Sequence, residues 1–103
     1  MKFLDLLSDV KHATQNQKQT ELWNVEGILH NQSFKFDLRP LKNNAKGGTF
    51  KTKADKIVYD MKDQYIIVDV EELHNYLKND NKKVVSLEEL LIKLEWNIVI
   101  QKD

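Results

Sequence analysis

The 103-residue sequence contains no cysteine, one proline, three glycines and three histidines. Without cysteine, the chain can form no disulfide, no thiolate zinc site and no cysteine nucleophile. The histidines are far apart in the sequence, so any metal would be bound by oxygen atoms. No run approaches the roughly 20 apolar residues of a membrane-spanning helix. These absences predict a cytoplasmic protein that does not contact a membrane.

The net charge is zero, but basic residues are concentrated in the middle of the sequence. Residues 35–56 carry seven basic residues against two acidic ones, whereas residues 57–103 carry six against ten. Such a segment favours contact with a polyanion such as DNA, although a lysine-rich loop is equally an ordinary solvated loop. Arginine occurs once among many lysines, and asparagine is frequent, which indicates an AT-rich genome such as that of a low-GC bacterium or its phage.

Hydrophobic periodicity predicts one small α+β domain over residues 1–103, with the element order α-β-β-β-β-α-α-β. The strands would form one antiparallel or mixed sheet, flanked by the helices. In chain order, we expect a helix at 2–13, strands at 23–29, 34–39, 56–60 and 64–70, helices begun by Asp69 and Ser86, and a strand at 96–100, with a flexible basic loop at 41–55.

Two acidic residues, Glu26 and Asp37, are predicted to face each other across the first hairpin. If residues 31–32 form its turn, Glu26 lies opposite Asp37, and like charges so close are unfavourable unless a cation lies between them. Lys35 and Arg39 then project from the same face. Two carboxylates are a common protein contribution to a Mg²⁺ site that also binds water and substrate phosphate. The alternative is ordinary surface ion pairing among these four charges.

An acid, a short hairpin and then an acid-x-Lys element is the signature of the PD-(D/E)xK nuclease superfamily. Glu26-Gly27 followed by Asp37-Leu38-Arg39 resembles that signature. Residues 47–77 look like the stretch that follows the catalytic strand in small phage-type members, and residues 81–91 are similar to the closing segment of some Holliday-junction resolvases. The resemblance implies a restriction-endonuclease-like core and a dimeric protein that binds DNA and cleaves it with Mg²⁺ or Mn²⁺.

By this resemblance, Glu26 and Asp37 would bind the metal together with the carbonyl of Leu38, and Arg39 would stand at the catalytic lysine position. Arg39 departs from the family pattern, because a guanidinium clamps phosphate but is a poor partner for activating water. Lys35, on the same face, would substitute for it. The residues expected to bind the DNA backbone are Lys42, Lys46, Lys51, Lys53 and Lys56.

A non-catalytic role fits the same composition. A phage or bacterial inhibitor or accessory factor would use the hairpin face, or the acidic C-terminal half, to bind a host protein. One geometric requirement separates the two hypotheses: an active nuclease must bring Glu26 and Asp37 around one ion, whereas an interaction protein need not.

Overall fold

The computed structural model describes residues 2–40, 52–79 and 87–102. None of the helices in these ranges has the length and apolar character of a membrane-spanning helix. In chain order, the elements are a 3-10 helix (Phe3–Leu6), β1 (Ser8–His12), α1 (Gln15–Thr20), β2 (Val25–Leu29), β3 (Gln32–Pro40), β4 (Lys56–Asp60), β5 (Gln64–Asp69), α2 (Val70–Asn79), α3 (Leu87–Lys93) and β6 (Asn97–Gln101).

Within the described residues, six strands form one mixed sheet in sequence order, from β1 at one edge to β6 at the other. The neighbours β3 and β4 are parallel, and the other neighbouring pairs are antiparallel. A parallel pair requires a crossover connection, and here it lies between Pro40 at the end of β3 and Lys56 at the start of β4. The predicted α+β class and mixed sheet are confirmed.

The helix expected over residues 2–13 is wrong, because this segment forms the 3-10 helix followed by β1. The pairing of β1 with β2 shifts register part-way along the strand, and Asp9 there adopts a left-handed φ of 52°. Phe3 packs edge-on against the rings of Phe36 and Tyr65, at centroid distances of 5.2 and 5.6 Å. A bulged strand loses strict alternation of apolar residues, and its spacing then imitates that of a helix.

The sheet buries apolar side chains on both faces. The strands at its centre, β4 and β5, are buried along nearly their whole length, and for β5 the apolar residues on both of its faces predict this. On one face, the core consists of Ile57, Tyr59, Ile66 and Val68 of the sheet with Val70, Leu73, Leu90 and Leu94 of the two C-terminal helices. On the other face, it consists of Phe3, Val25, Leu29, Phe36, Val58, Tyr65 and Ile67.

Local signals correctly predict where α2 begins. The Asp69 side chain accepts a hydrogen bond from the Glu72 N–H at 3.0 Å, as the spacing of the two residues indicates. The Ser86 cap predicted for α3 and most of the predicted loop at 41–55 lie outside the described residues. The end of that loop is anchored, because the Thr52 hydroxyl donates to the Leu22 carbonyl at 2.9 Å.

Candidate functional site on the hairpin face

The hairpin of β2 and β3 turns at His30 and Asn31, one residue earlier than predicted. Both residues have positive φ, 52° and 65°, which suits the two-residue turns of tight hairpins. Shifting such a turn by one residue moves every cross-strand partner by two positions. Glu26 therefore lies opposite Lys35, and the predicted pairing of Glu26 with Asp37 is wrong.

Glu26 occupies a row of alternating charges across three strands. Its neighbour on β3 is Lys35, and its neighbour on β1 is Lys11. Opposite charges in such positions stabilise a sheet by roughly 0.2–1 kcal/mol per pair. The sequence did not reveal the contribution of Lys11, because that residue was expected in a helix. This environment corresponds to the alternative of ordinary cross-strand pairing.

Asp37 lies on the same face as Glu26, two residues farther along β3, and forms an ion pair with Arg39. The Nε and Nη2 atoms of Arg39 donate to Asp37 Oδ2 at 3.3 and 2.9 Å. Both side chains are largely buried, with 11% of Asp37 and 15% of Arg39 exposed. Asp37 and Arg39 therefore satisfy each other within one strand, at the position where the resemblance places a metal ligand and a catalytic cation.

The neighbouring residue Leu38 is held by Asn24, which extends the hairpin ladder by one residue before the start of β2. The Asn24 N–H donates to the Phe36 carbonyl, and the Leu38 N–H donates to Asn24 Oδ1, both at 2.8 Å. Sequence reasoning did not identify Asn24. Its position just before an alternating run is the signal that could have indicated it.

Tyr59 lies beside the ion pair, opposite Arg39 on β4. Its side chain is fully buried. Burial raises the pKa of Tyr59 to about 12, Arg39 opposes this rise, and Asp37 adds to it. A hydroxyl that holds its proton so firmly is a hydrogen-bonding group at neutral pH and not a base.

Lys18, Lys35 and Arg39 lie near Trp23. Lys35 Nζ lies 5.1 Å from the centre of the Trp23 ring, within cation–π range. A cleft of about 400 Å³ beside this tryptophan is lined by Lys18 and Arg39. The exposed Lys53 joins the same region, since its N–H donates to the Glu21 carbonyl at 2.8 Å. The other predicted DNA-binding residues of the loop, Lys42, Lys46 and Lys51, lie outside the described residues.

Lys56 is not a surface cation, contrary to prediction, and only 6% of the residue is exposed. Its Nζ lies 2.6 Å from Asp69 Oδ1. The same ammonium sits 3.7 Å from the ring centre of Trp96 and 4.7 Å from that of Phe34. Its place at the first position of a buried strand was visible in the sequence, but its aromatic partners were not.

A second cleft, of about 620 Å³, lies between the start of α2 and residues 52–56. Its principal charged groups already have partners in the protein. Asp69 binds Lys56 and caps α2, and Asp55 accepts the N–H of Lys35 at 2.8 Å. Asp55, Lys56 and Asp69 therefore act as structural charges at the wall of this cleft.

The residues expected to bind a metal do not fit that role in this arrangement. Glu26 and Asp37 are diagonal neighbours, for which the Cα separation is typically about 7–8 Å, and Asp37 is bound by Arg39. In the described parts of the chain, no three or more His, Cys, Asp or Glu side chains gather as a metal site would require. No step through a metal follows from this geometry.

Comparison of the chain with models of protein families, with curated proteins and with solved structures gives no match.

Proposed function

We propose that the protein binds nucleic acid without cleaving it, on a restriction-endonuclease-like sheet whose catalytic positions have become structural. The observation that supports this proposal is that Lys18 and the Arg39–Asp37 pair line a cleft beside Trp23, while Lys35 Nζ lies 5.1 Å from the centre of the Trp23 ring. Lys18 comes from α1, Arg39 from the end of β3, and Lys53 from the segment that leads into β4. The ammonium of Lys18 and the guanidinium of the Arg39–Asp37 pair therefore lie in one cleft, and the backbone of Lys53 is bound next to it at Glu21.

This region is also where the lysine-rich segment is attached. β3 ends at Pro40, next to Arg39, and the Thr52 hydroxyl donates to the Leu22 carbonyl, so both ends of the intervening segment are attached to this region. The cations of that segment, Lys42, Lys46 and Lys51, are thus joined in sequence to the basic cluster. A group of lysines recognises phosphate through charge, without reading the base sequence.

The carboxylates of this region are engaged by protein donors. Glu21 Oε1 accepts the indole N–H of Trp23 at 3.1 Å. Asp37 accepts a hydrogen bond from the guanidinium of Arg39, and Asp55 accepts one from the backbone N–H of Lys35. Of these three carboxylates, Asp37 has its charge balanced by Arg39, whereas Glu21 and Asp55 keep their charge and accept hydrogen bonds from Trp23 and the Lys35 backbone. The same pairing of Asp37 supports binding in place of cleavage.

The test is binding of labelled duplex, single-stranded and four-way-junction DNA, followed by fluorescence anisotropy over a range of salt. We expect the association constant to fall steeply with salt, and the double variant Lys18→Glu, Lys53→Glu to bind at least about tenfold more weakly. Lys93→Glu is the matched control, because Lys93 is equally exposed but lies on α3. It should bind nearly as the wild type does.

The same samples are incubated with Mg²⁺ or Mn²⁺, with and without EDTA. We expect no cutting. Metal-dependent cutting that is lost in EDTA and in Asp37→Ala would overturn the proposal and establish a nuclease. Failure of the folded wild-type protein to bind any of the three DNA forms at low salt would also overturn it, in favour of a protein partner.

A further inference from the structure

The two edges of the sheet are built very differently. The β1 edge carries the charged and exposed residues Asp9 and Lys11, and its ladder is broken by an irregularity at Asp9. Charges and bulges of this kind prevent a sheet edge from pairing with another strand. The β1 edge is therefore protected against association.

The β6 edge has none of these protections. Its sequence, Asn-Ile-Val-Ile-Gln over residues 97–101, contains no charge, proline or glycine. Its register with β5 is continuous from Val68–Asn97 to Gln64–Gln101. Val99 at its centre is 43% exposed, which is high for a large apolar residue in a strand.

The lysine that follows β6 does not guard this edge either. Lys102 Nζ turns back toward the sheet and forms an ion pair with Asp60. It also donates to the Met61 carbonyl at 2.6 Å and lies 4.7 Å from the ring centre of Tyr65. Its charge is therefore held over the β4–β5 turn.

The backbone groups that face outward can be identified from one hydrogen bond. The Lys102 N–H donates to the Asp63 carbonyl at 2.9 Å, across the β5–β6 ladder. Backbone direction alternates along an antiparallel strand, so Ile98 and Ile100 also face β5. The N–H and C=O groups of Asn97, Val99 and Gln101 then point away from the sheet, and no other described strand pairs with them.

We propose that two copies of the chain pair antiparallel through β6, around a two-fold axis at Val99. In this register Val99 lies opposite Val99 of the second copy, and Asn97 lies opposite Gln101 of the second copy. The outward backbone groups of both strands are then directly opposed, as hydrogen bonding requires. The two six-stranded sheets become one continuous sheet.

The partner is a second copy of the chain, because two β6 strands that run in opposite directions have matching residues at each position. Antiparallel pairing around Val99 places amide opposite amide at the ends and Ile98 opposite Ile100 between them. No charge is buried, and Val99 gains the apolar cover that it lacks. A two-fold interface requires this self-complementarity, because the same patch contributes twice. The proposal does not depend on nucleic-acid binding.

Sedimentation equilibrium of the full chain tests the oligomeric state. We expect a concentration-dependent dimer for the wild type and a monomer for Val99→Lys, which places two ammonium groups face to face at the axis. Lys11→Glu, on the opposite edge, is the matched control and should remain dimeric. A wild type that is monomeric at every concentration would overturn the proposal, even if β6 were found to bind an unrelated peptide.

A second variant tests the register and remains informative if Val99→Lys fails to fold. The chain has no cysteine, so Val99→Cys introduces a single thiol. We expect a short bifunctional maleimide to crosslink two copies of Val99→Cys efficiently, and two copies of Lys11→Cys poorly. Crosslinking at position 11 in place of position 99, or at neither position, would contradict pairing through β6.

Discussion

Lys56 and Asp69 form a buried ion pair between adjacent strands and, through it, join the sheet to a helix. The Lys56 ammonium is held between the rings of Phe34 and Trp96. Asp69 Oδ1 accepts that ammonium, while Oδ2 accepts the Glu72 N–H in the first turn of α2. One carboxylate thus neutralises a buried cation and caps a helix.

This double role predicts unequal effects of removing the two partners. Asp69→Ala should lower the free energy of unfolding by about 3–5 kcal/mol, because it leaves the ammonium buried without a counter-charge. Loss of the cap adds about 1 kcal/mol. Lys56→Met should cost much less, because the Asp69 side chain is 24% exposed and can bind water. Urea unfolding measures both variants, and a larger effect of Lys56→Met would contradict this assignment.

Lys56 and Lys53 should also differ in their effect on nucleic-acid binding. Lys53 is exposed, whereas the ammonium of Lys56 is enclosed and paired. We therefore expect Lys53→Met to weaken DNA binding and to reduce its salt dependence, and a folded Lys56→Met to bind as the wild type does. Anisotropy titrations at several salt concentrations compare the two. Equal losses of affinity would mean that Lys56 reaches the ligand.

Tyr59 predicts a loss of stability in alkaline solution. The pKa of Tyr59 is raised from 10.0 to about 12 by burial. Below pH 10 the phenol keeps its proton in both states, so its contribution to stability is constant. Between pH 10 and 12 the unfolded chain releases the proton and the folded chain does not, so stability falls as pH rises, by up to about 1.4 kcal/mol per pH unit.

Tyr59→Phe is the control for that prediction. Unfolding free energies of the two proteins, measured between pH 8 and the alkaline limit of folding, should diverge above pH 10, with the wild type losing stability faster. Ultraviolet titration of the folded wild type should show a tyrosine that ionises near pH 12 and that is absent from Tyr59→Phe. Parallel stability curves would show that Tyr59 titrates alike in both states.

We predict that the ion pair of Asp37 and Arg39 stabilises the folded protein. Asp37→Ala removes the acceptor of two guanidinium N–H groups, and a hydrogen bond to a charged group is worth about 1.5–3 kcal/mol. Arg39→Lys should cost part of that amount, because an ammonium cannot reproduce the planar donor pair. Thermal unfolding gives the ranking. A variant that is as stable as the wild type would show that the pair contributes little to folding.

Gly27 is required by the close approach of the N-terminal segment. A Cβ built at Gly27 would lie 3.0 Å from Leu7 Cδ1 and 3.3 Å from the Ser8 carbonyl oxygen. Gly27→Ala should therefore destabilise the fold by about 1–3 kcal/mol, the usual cost of overpacking. In a double-mutant cycle, Leu7→Ala should recover part of this loss. If the effects of Gly27→Ala and Leu7→Ala on the free energy of unfolding were strictly additive, the two positions would not be in contact.

The sequence predicted the elements whose signals are local. Strands β2 to β6 follow alternating or continuous apolar runs, and the start of α2 follows from the spacing of Asp69 and Glu72. The prediction of an N-terminal helix was wrong, because the spacing of apolar residues in a bulged strand resembles that in a helix. The hairpin register was wrong by one turn residue, since both His30-Asn31 and Asn31-Gln32 are plausible turns.

The candidate site was predictable only as a set of residues that share a face. Glu26, Lys35, Asp37 and Arg39 do project from one side of the hairpin, as alternation requires. The register of β2 against β3 determines which of these four residues lie opposite each other. That pairing determines whether the carboxylates can share a metal ion or form ion pairs with Lys35 and Arg39. The burial of Lys56 depends on Trp96, which lies far away in sequence and reaches it only through the complete β4-β5-β6 arrangement.

The parallel pairing of β3 with β4 divides the sheet into two halves that are each continuous in sequence. The strands β1-β2-β3 form one antiparallel meander, and β4-β5-β6 form the other. The connection that joins the halves, residues 41–55, is shorter than the one inside the second half, residues 70–96, which contains α2 and α3. Because the entropic cost of closing a loop rises with its length, bringing β6 beside β5 costs more chain entropy than bringing β4 beside β3.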